Sequence, residues 1–116
     1  MSSPAHRAVV LVVEDVDWIR AGMVGRLREC GYVVTEAADA AQALEQAELL
    51  IPSAILTEEE LPTYTELLRR LGQHPTLGRV PVVIVNPDAE AGARFGGAFL
   101  LPDYRHIETL LIELKR

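Results

Sequence analysis

The chain reads as an α/β domain, a parallel five-stranded sheet flanked by helices in a (βα)5 succession. Three observations predict it. Apolar segments of strand length alternate with segments of helical period along the chain. The run Ala8 to Val13 is continuously apolar, as suits a central strand buried on both faces. Two apolar strands also carry acids at their C-terminal ends, Glu14-Asp15 after the first and Glu58 after the third, and in an open α/β sheet those ends form the functional edge.

Each element has its own signature. After the first strand, Asp17 is placed as an N-cap, Ile19, Met23 and Leu27 recur at i, i+4 and i+8, and Gly31 supplies the stop. Tyr32 to Thr35 reads as the second strand, and Asp39 caps a helix whose apolar side includes Ala43, Leu44 and Ala47. Ala54 to Thr57 is the third strand. Thr63 to Leu71 carries Leu67, Leu68 and Leu71 at helical spacing and is ended by Gly72 and Pro75. Val82 to Val85 is the fourth strand. Beyond it Asn86-Pro87-Asp88 signals a turn, and Ala89 to Phe95 offers at most two helical turns before Gly96-Gly97. Ala98 to Leu101 is a short fifth strand, and Ile107, Leu110, Leu111 and Leu114 form the inner face of a closing helix.

With 116 residues and 49% apolar side chains the chain fits one domain over 1–116, residues 1–7 being expected to be flexible. The 17 acidic and 11 basic side chains leave a formal charge of −6. That balance argues against a sequence-independent grip on nucleic acid or an anionic membrane and favours a basic protein partner. The single Cys30 excludes an intramolecular disulfide, and no apolar run approaches the roughly 20 residues of a membrane span. The first residues lack the apolar stretch of a secretory signal, so the expected compartment is the cytoplasm.

Four sets of residues, in this order and spacing, resemble a receiver domain of two-component response regulators over nearly the whole chain. They are Val10-Leu-Val-Val-Glu-Asp15 with Ile19-Arg20, the Pro52 to Pro62 segment, His74-Pro75 leading to Val80-Pro81-Val82, and Leu101-Pro102. The resemblance implies a flavodoxin-like three-layer sandwich with strand order 2-1-3-4-5. It also implies a metal-assisted aspartate that accepts a phosphoryl group from a histidine kinase.

Carried over residue by residue, the resemblance puts the metal-holding acidic pair on Glu14 and Asp15 and the phosphoacceptor on Glu58, where the family has aspartate. The switch hydroxyl falls on Asn86, the lysine on Leu101 and the switch aromatic on Ala98. Only the acidic pair keeps the family's residues, so the chain looks like a degenerate, pseudo-receiver variant. Residues 87 to 100 are all that separate Asn86 from Leu101, fewer than the family usually has there, so the fourth helix should be shortened or replaced by a loop.

Phosphoryl transfer is mainly positioning plus charge neutralisation, a task a metal and a cation normally share. Leu101 offers no charge. Glu58 carries its carboxylate roughly 1.5 Å further out than aspartate would, by one single bond. A misplacement of about 1 Å can cost 100-fold, so no productive phosphorylation is expected at Glu58. The displaced carboxylate, with an amide hydrogen bond from Asn86, would resemble a half-switched state. Glu14, Asp15 and Glu58 should lie close together, and like charges raise the pKa of at least one unless a cation is bound. Those three carboxylates are the candidate ligands for Mg²⁺ or Ca²⁺, although no cofactor is required.

Elsewhere the signals are plainer. Glu59 and Glu60 read as a solvated acidic turn, and Gly92 to Gly97 does not match a phosphate-binding glycine fingerprint. His6, His74 and His106 are scattered, Cys30 is a small core or helix-end residue, and Trp18 lies at the start of the first helix beside the acids. The expected function is a non-enzymatic receiver-like domain acting in signal transduction as a phosphorylation-independent interaction module. Its partner would be a signalling or output domain or a histidine kinase, contacted through Arg94, Phe95, Phe99, Tyr104 and Arg105, and the chain itself a monomer or weak homodimer. The alternatives are a Mg²⁺-dependent phosphoacceptor using Glu58, and a small-ligand sensor using the pocket around Leu101.

Overall fold

The computed structural model describes residues 8–58, 61–85 and 98–101. Five strands form one sheet: β1 (Val9–Val13), β2 (Val33–Ala37), β3 (Ala54–Glu58), β4 (Val82–Val85) and β5 (Ala98–Leu101). All neighbouring pairs are parallel, and the order β2-β1-β3-β4-β5 is the expected one. Helices α1 (Asp17–Glu29), α2 (Ala40–Leu49) and α3 (Tyr64–Gln73) make the crossovers, and a 3₁₀ turn at Leu77–Arg79 leads into β4. The fourth and closing helices expected from sequence, together with residues 1–7, lie outside the described residues.

Both faces of the sheet are covered, which is why its strands read as unbroken apolar runs. On β1, Val10 and Val12 join Met23, Val24 and Leu27 of α1, whereas Leu11 and Val13 join Ala43, Leu44 and Ala47 of α2 and Leu67 and Leu71 of α3. On β3, Ala54 and Leu56 belong to the first cluster and Ile55 to the second.

The end of α1 follows from Gly31. It sits at φ +90°, the left-handed region that favours glycine. Its N–H bonds to Arg28 O at 2.9 Å and the N–H of Tyr32 to Leu27 O at 3.2 Å, the paired closure of a Schellman motif, with Tyr32 and Leu27 in the same cluster. Tyr32 therefore belongs to the helix stop, and β2 begins one residue later than the sequence pattern places it. At the other end, the N-cap of α1 is Val16, without a side-chain cap bond, and not Asp17. Asp17 is the first helical residue, where its charge suits the helix dipole and its carboxylate pairs with Arg20. The expected cap at Asp39 is present, accepting from Gln42 N at 2.9 Å. Gly72 lies within α3, which runs on to Gln73 with His74 as its C-cap.

Candidate functional site

Strand register brings the acids together. Val13 of β1 is level with Thr57 of β3, so the next residues, Glu14 and Glu58, emerge side by side at the C-terminal edge of the sheet. Glu58 is level with Val85, and Val85 with Leu101, so the backbone of position 101 closes the same edge two strands away.

Glu14 is the least ordinary residue of this edge. Its backbone N–H donates to Ala37 O at 3.0 Å, which turns its side chain inward, and only 2% of its surface is exposed. Oε2 accepts the Val16 N–H at 3.0 Å, while Oε1 is buried with no hydrogen-bond partner. Burial is the main reason that its pKa is pushed up to about 8, with the neighbouring carboxyls of Glu58 and Asp15 adding to the rise and the Val16 N–H opposing it. A proton on Glu14 relieves the crowding, because a carboxylic acid can donate to the Glu58 carboxylate where two carboxylates would repel.

A cation does stand nearby, and sequence reasoning assigned it no role. Arg20 on α1 donates from Nη1 to the backbone oxygen of Glu14 at 2.8 Å, from Nη2 to Asp17 Oδ1 at 2.7 Å and from Nε to Glu36 Oε1 at 3.3 Å. One guanidinium thus ties the β1–α1 loop to α1 and β2. It holds Glu14 from behind, through the main chain, and leaves the carboxyl unneutralised. The visible signal was the Ile19-Arg20 pair, read as resemblance and not as a clamp.

The oxygens of Glu14, Asp15 and Glu58 are hard donors that suit Mg²⁺ or Ca²⁺ in chemistry. Among the described residues no group of three His, Cys, Asp or Glu side chains is arranged around an ion, so a Mg²⁺ here would be held through one or two of these carboxylates with water completing its shell.

Of the other expected residues, Ala98 begins β5 level with Val82, Phe99 follows it, and Asn86, Arg94, Phe95, Tyr104 and Arg105 lie outside the described residues. Trp18 is 77% exposed in the first turn of α1. Cys30 is exposed at the C-cap of that helix, a helix-end residue. His74 is structural: its Nδ1 accepts the N–H groups of Thr76 and Leu77, each at 3.1 Å, and closes the turn after α3. No helix among the described residues is long and apolar enough to cross a membrane.

Comparison with known proteins bears on the fold and the family. No family model matches. Over 101 residues, 77% of this chain, the sequence is 34% identical to the sensor kinase CckA of Brucella abortus, and over 88 residues, 72% of this chain, it is 33% identical to the two-component response regulator-like APRR3 of Arabidopsis thaliana. The matched stretch spans 10% of the first relative and 18% of the second. Among solved structures, the receiver domain of sensor histidine kinase PA1611 from Pseudomonas aeruginosa PAO1, which has a magnesium ion coordinated in its active-site cleft, superposes with a TM-score of 0.80 at 26% identity. That alignment covers 94% of this chain and 98% of that one.

Proposed function

Because this chain has the fold and the sequence kinship of the receiver domains of two-component signalling, we propose that it is a degenerate receiver acting as a protein-interaction module that does not switch by phosphorylation. The observation that carries the reading is the state of the edge where a receiver would do its chemistry. Glu58 stands where an aspartate nucleophile would stand, its neighbour Glu14 is buried with no basic partner among the described residues, and position 101 is leucine where the family's lysine would neutralise phosphate.

An incoming phosphoryl group brings negative charge to a mouth that already holds three carboxyls. Rate enhancement in phosphoryl transfer comes from positive groups fixed around the equatorial oxygens. Arg20 is turned to the back of the loop, and no other basic side chain among the described residues reaches either glutamate carboxyl. The partner is a signalling protein, with Arg94, Phe95, Phe99, Tyr104 and Arg105 as proposed contacts.

Incubation with acetyl phosphate or a phosphoramidate and Mg²⁺, followed by intact-mass measurement, tests the reading. The expected result is an unchanged mass. A hydroxylamine-labile mass increase would overturn it and return the chain to the Mg²⁺-dependent phosphoacceptors.

A further inference from the structure

We infer that the groove between the C-terminal halves of α2 and α3 binds a free α-amino acid with an apolar side chain, its ammonium on Glu48 and its carboxylate on Arg70 and His74. The site is separate from the acidic edge, and the inference goes beyond the interaction-module reading.

The first observation is the opening itself. Leu44 and Glu48 stand one helical turn apart on α2, and Arg70, Gln73 and the C-cap His74 fall within one turn of α3, so each set shares a face. Together with Pro75 they line a groove of about 260 Å³. Drug-sized ligands occupy roughly 300–1,000 Å³, so this groove suits a smaller solute. Leu44, almost wholly buried, forms its floor and belongs to the core cluster that joins α2 to α3 through Leu67 and Leu71. The walls are therefore held by the packed core.

The second observation is how the polar groups are set. His74 Nδ1 accepts the N–H groups of Thr76 and Leu77, each at 3.1 Å, which fixes the proton of the neutral ring on Nε2. That donor faces Glu48 Oε2 across 3.9 Å, too far for a hydrogen bond. Arg70 approaches Glu66 only to 3.6 Å, and both side chains are half-exposed, so the pair is weak and yields readily to a ligand. Gln73 commits its oxygen to Arg69 at 3.5 Å and keeps its amide donors. Donors thus gather on the α3 wall, and the one carboxylate stands on the α2 wall.

The third observation selects the ligand by charge. Arg70 and Glu48 cancel, so the lining carries no net charge, yet its two signs lie on opposite walls. A simple anion would meet Glu48 and a simple cation would meet Arg70. A zwitterion satisfies both, and each of its contacts is a charge-assisted hydrogen bond, the stronger kind. The apolar surfaces of Leu44 and Pro75 remain for its side chain.

The probes are leucine, N-acetylleucine, which lacks the ammonium, and leucinamide, which lacks the carboxylate. Each is titrated against the whole chain while the amide signals of Thr76 and Leu77 and the Arg70 Nε–H signal are followed by NMR. Leucine should shift all three saturably, with a dissociation constant on the order of 1 mM, and the other two should bind at least about tenfold more weakly, the worth of one charge-assisted hydrogen bond. Glu48→Gln should weaken leucine about tenfold and leave N-acetylleucine no weaker, whereas Arg70→Gln should weaken leucine and leave leucinamide no weaker. Both replaced side chains are exposed, so neither variant removes core packing. Equal binding of the three probes, no saturable shift with leucine, or leucine binding unchanged in both variants would each overturn the inference. Tighter binding of acetyl-Ala-Leu-Ala-amide than of leucine would also overturn it, by making the groove a peptide site. A hydroxylamine-labile phosphoryl adduct defeats the interaction-module reading and leaves this groove untouched.

Discussion

Glu14 and Glu58 emerge from adjacent parallel strands immediately beyond the paired Val13 and Thr57, and their carboxyl groups meet without an intervening described cation. The consequence is a pH dependence of definite sign. The pKa of Glu14 rises from 4.5 to about 8 on folding, burial being the chief cause. Below 4.5 both folded and unfolded chains hold the proton. Between 4.5 and about 8 the unfolded chain ionises first, so stability falls as pH rises through that window and levels off above it. The loss should be on the order of a few kcal/mol, read as a falling urea midpoint between pH 5 and pH 8. A midpoint constant over that range would mean that Glu14 is not the buried, proton-holding group.

Glu14→Gln isolates the cause. Glutamine keeps a side-chain oxygen for the Val16 N–H and can donate from its amide to Glu58, without a titrating proton. The variant should be more stable than the parent at pH 8 by about 1–3 kcal/mol and should lose most of the pH slope. Glu58→Gln relieves the same contact from its more open side and should be neutral to mildly stabilising. A parental slope retained in Glu14→Gln would assign the dependence to another group.

Arg20 contributes mainly through the main chain. Its bond to Glu14 O is part-buried, whereas its Asp17 partner is almost fully exposed and that ion pair adds little. Arg20→Ala should cost about 1–2 kcal/mol by chemical denaturation and broaden the amide resonances of residues 14–17. Arg20→Lys, with one charge but no fork, should recover less than half of the loss. An alanine variant as stable as the parent would show that the loop holds itself.

Gly31→Ala tests the helix stop. An added Cβ meets nothing within 4 Å, so the cost is backbone strain at φ +90° alone, about 1 kcal/mol. Equilibrium denaturation measures it, and a stable alanine variant would require the Schellman closure to have rearranged.

Sequence patterning carried the architecture because its signals are short-range or steric. Unbroken apolar runs marked β1, β3 and β4, Asp39 marked the start of α2, and Gly31 marked the end of α1. Where the reading slipped, a local hydrogen bond outweighed propensity. Tyr32 was drawn into the Schellman closure, and Asp17, a good capping residue by type, bonds Arg20 from within the helix. The meeting of Glu14 with Glu58 was legible because two strand ends in neighbouring positions leave no other place for them. The orphaned Oε1 and the rearward grip of Arg20 were not, since both depend on which way side chains turn after the strands have paired.

The most demanding prediction reverses the degeneration. Aspartate at 58 draws its carboxylate back by about 1.5 Å, one single bond, and opens space beside Glu14. That change alone restores a nucleophile and leaves the developing charge uncompensated, so Glu58→Asp should acquire little or no phosphoryl label from acetyl phosphate with Mg²⁺. Adding Leu101→Lys places an ammonium at the end of β5, on the same edge and two strands from position 58. Removing one preorganised charge-stabilising group commonly costs 10²–10³ in rate, so the double variant should label at least about 100-fold faster than the single one. The readout is hydroxylamine-labile incorporation followed over time. Equal rates in the two variants would mean that the missing lysine is not what silences the edge, and labelling of the parent chain at the rate of the double variant would mean that Glu58 is already a competent acceptor.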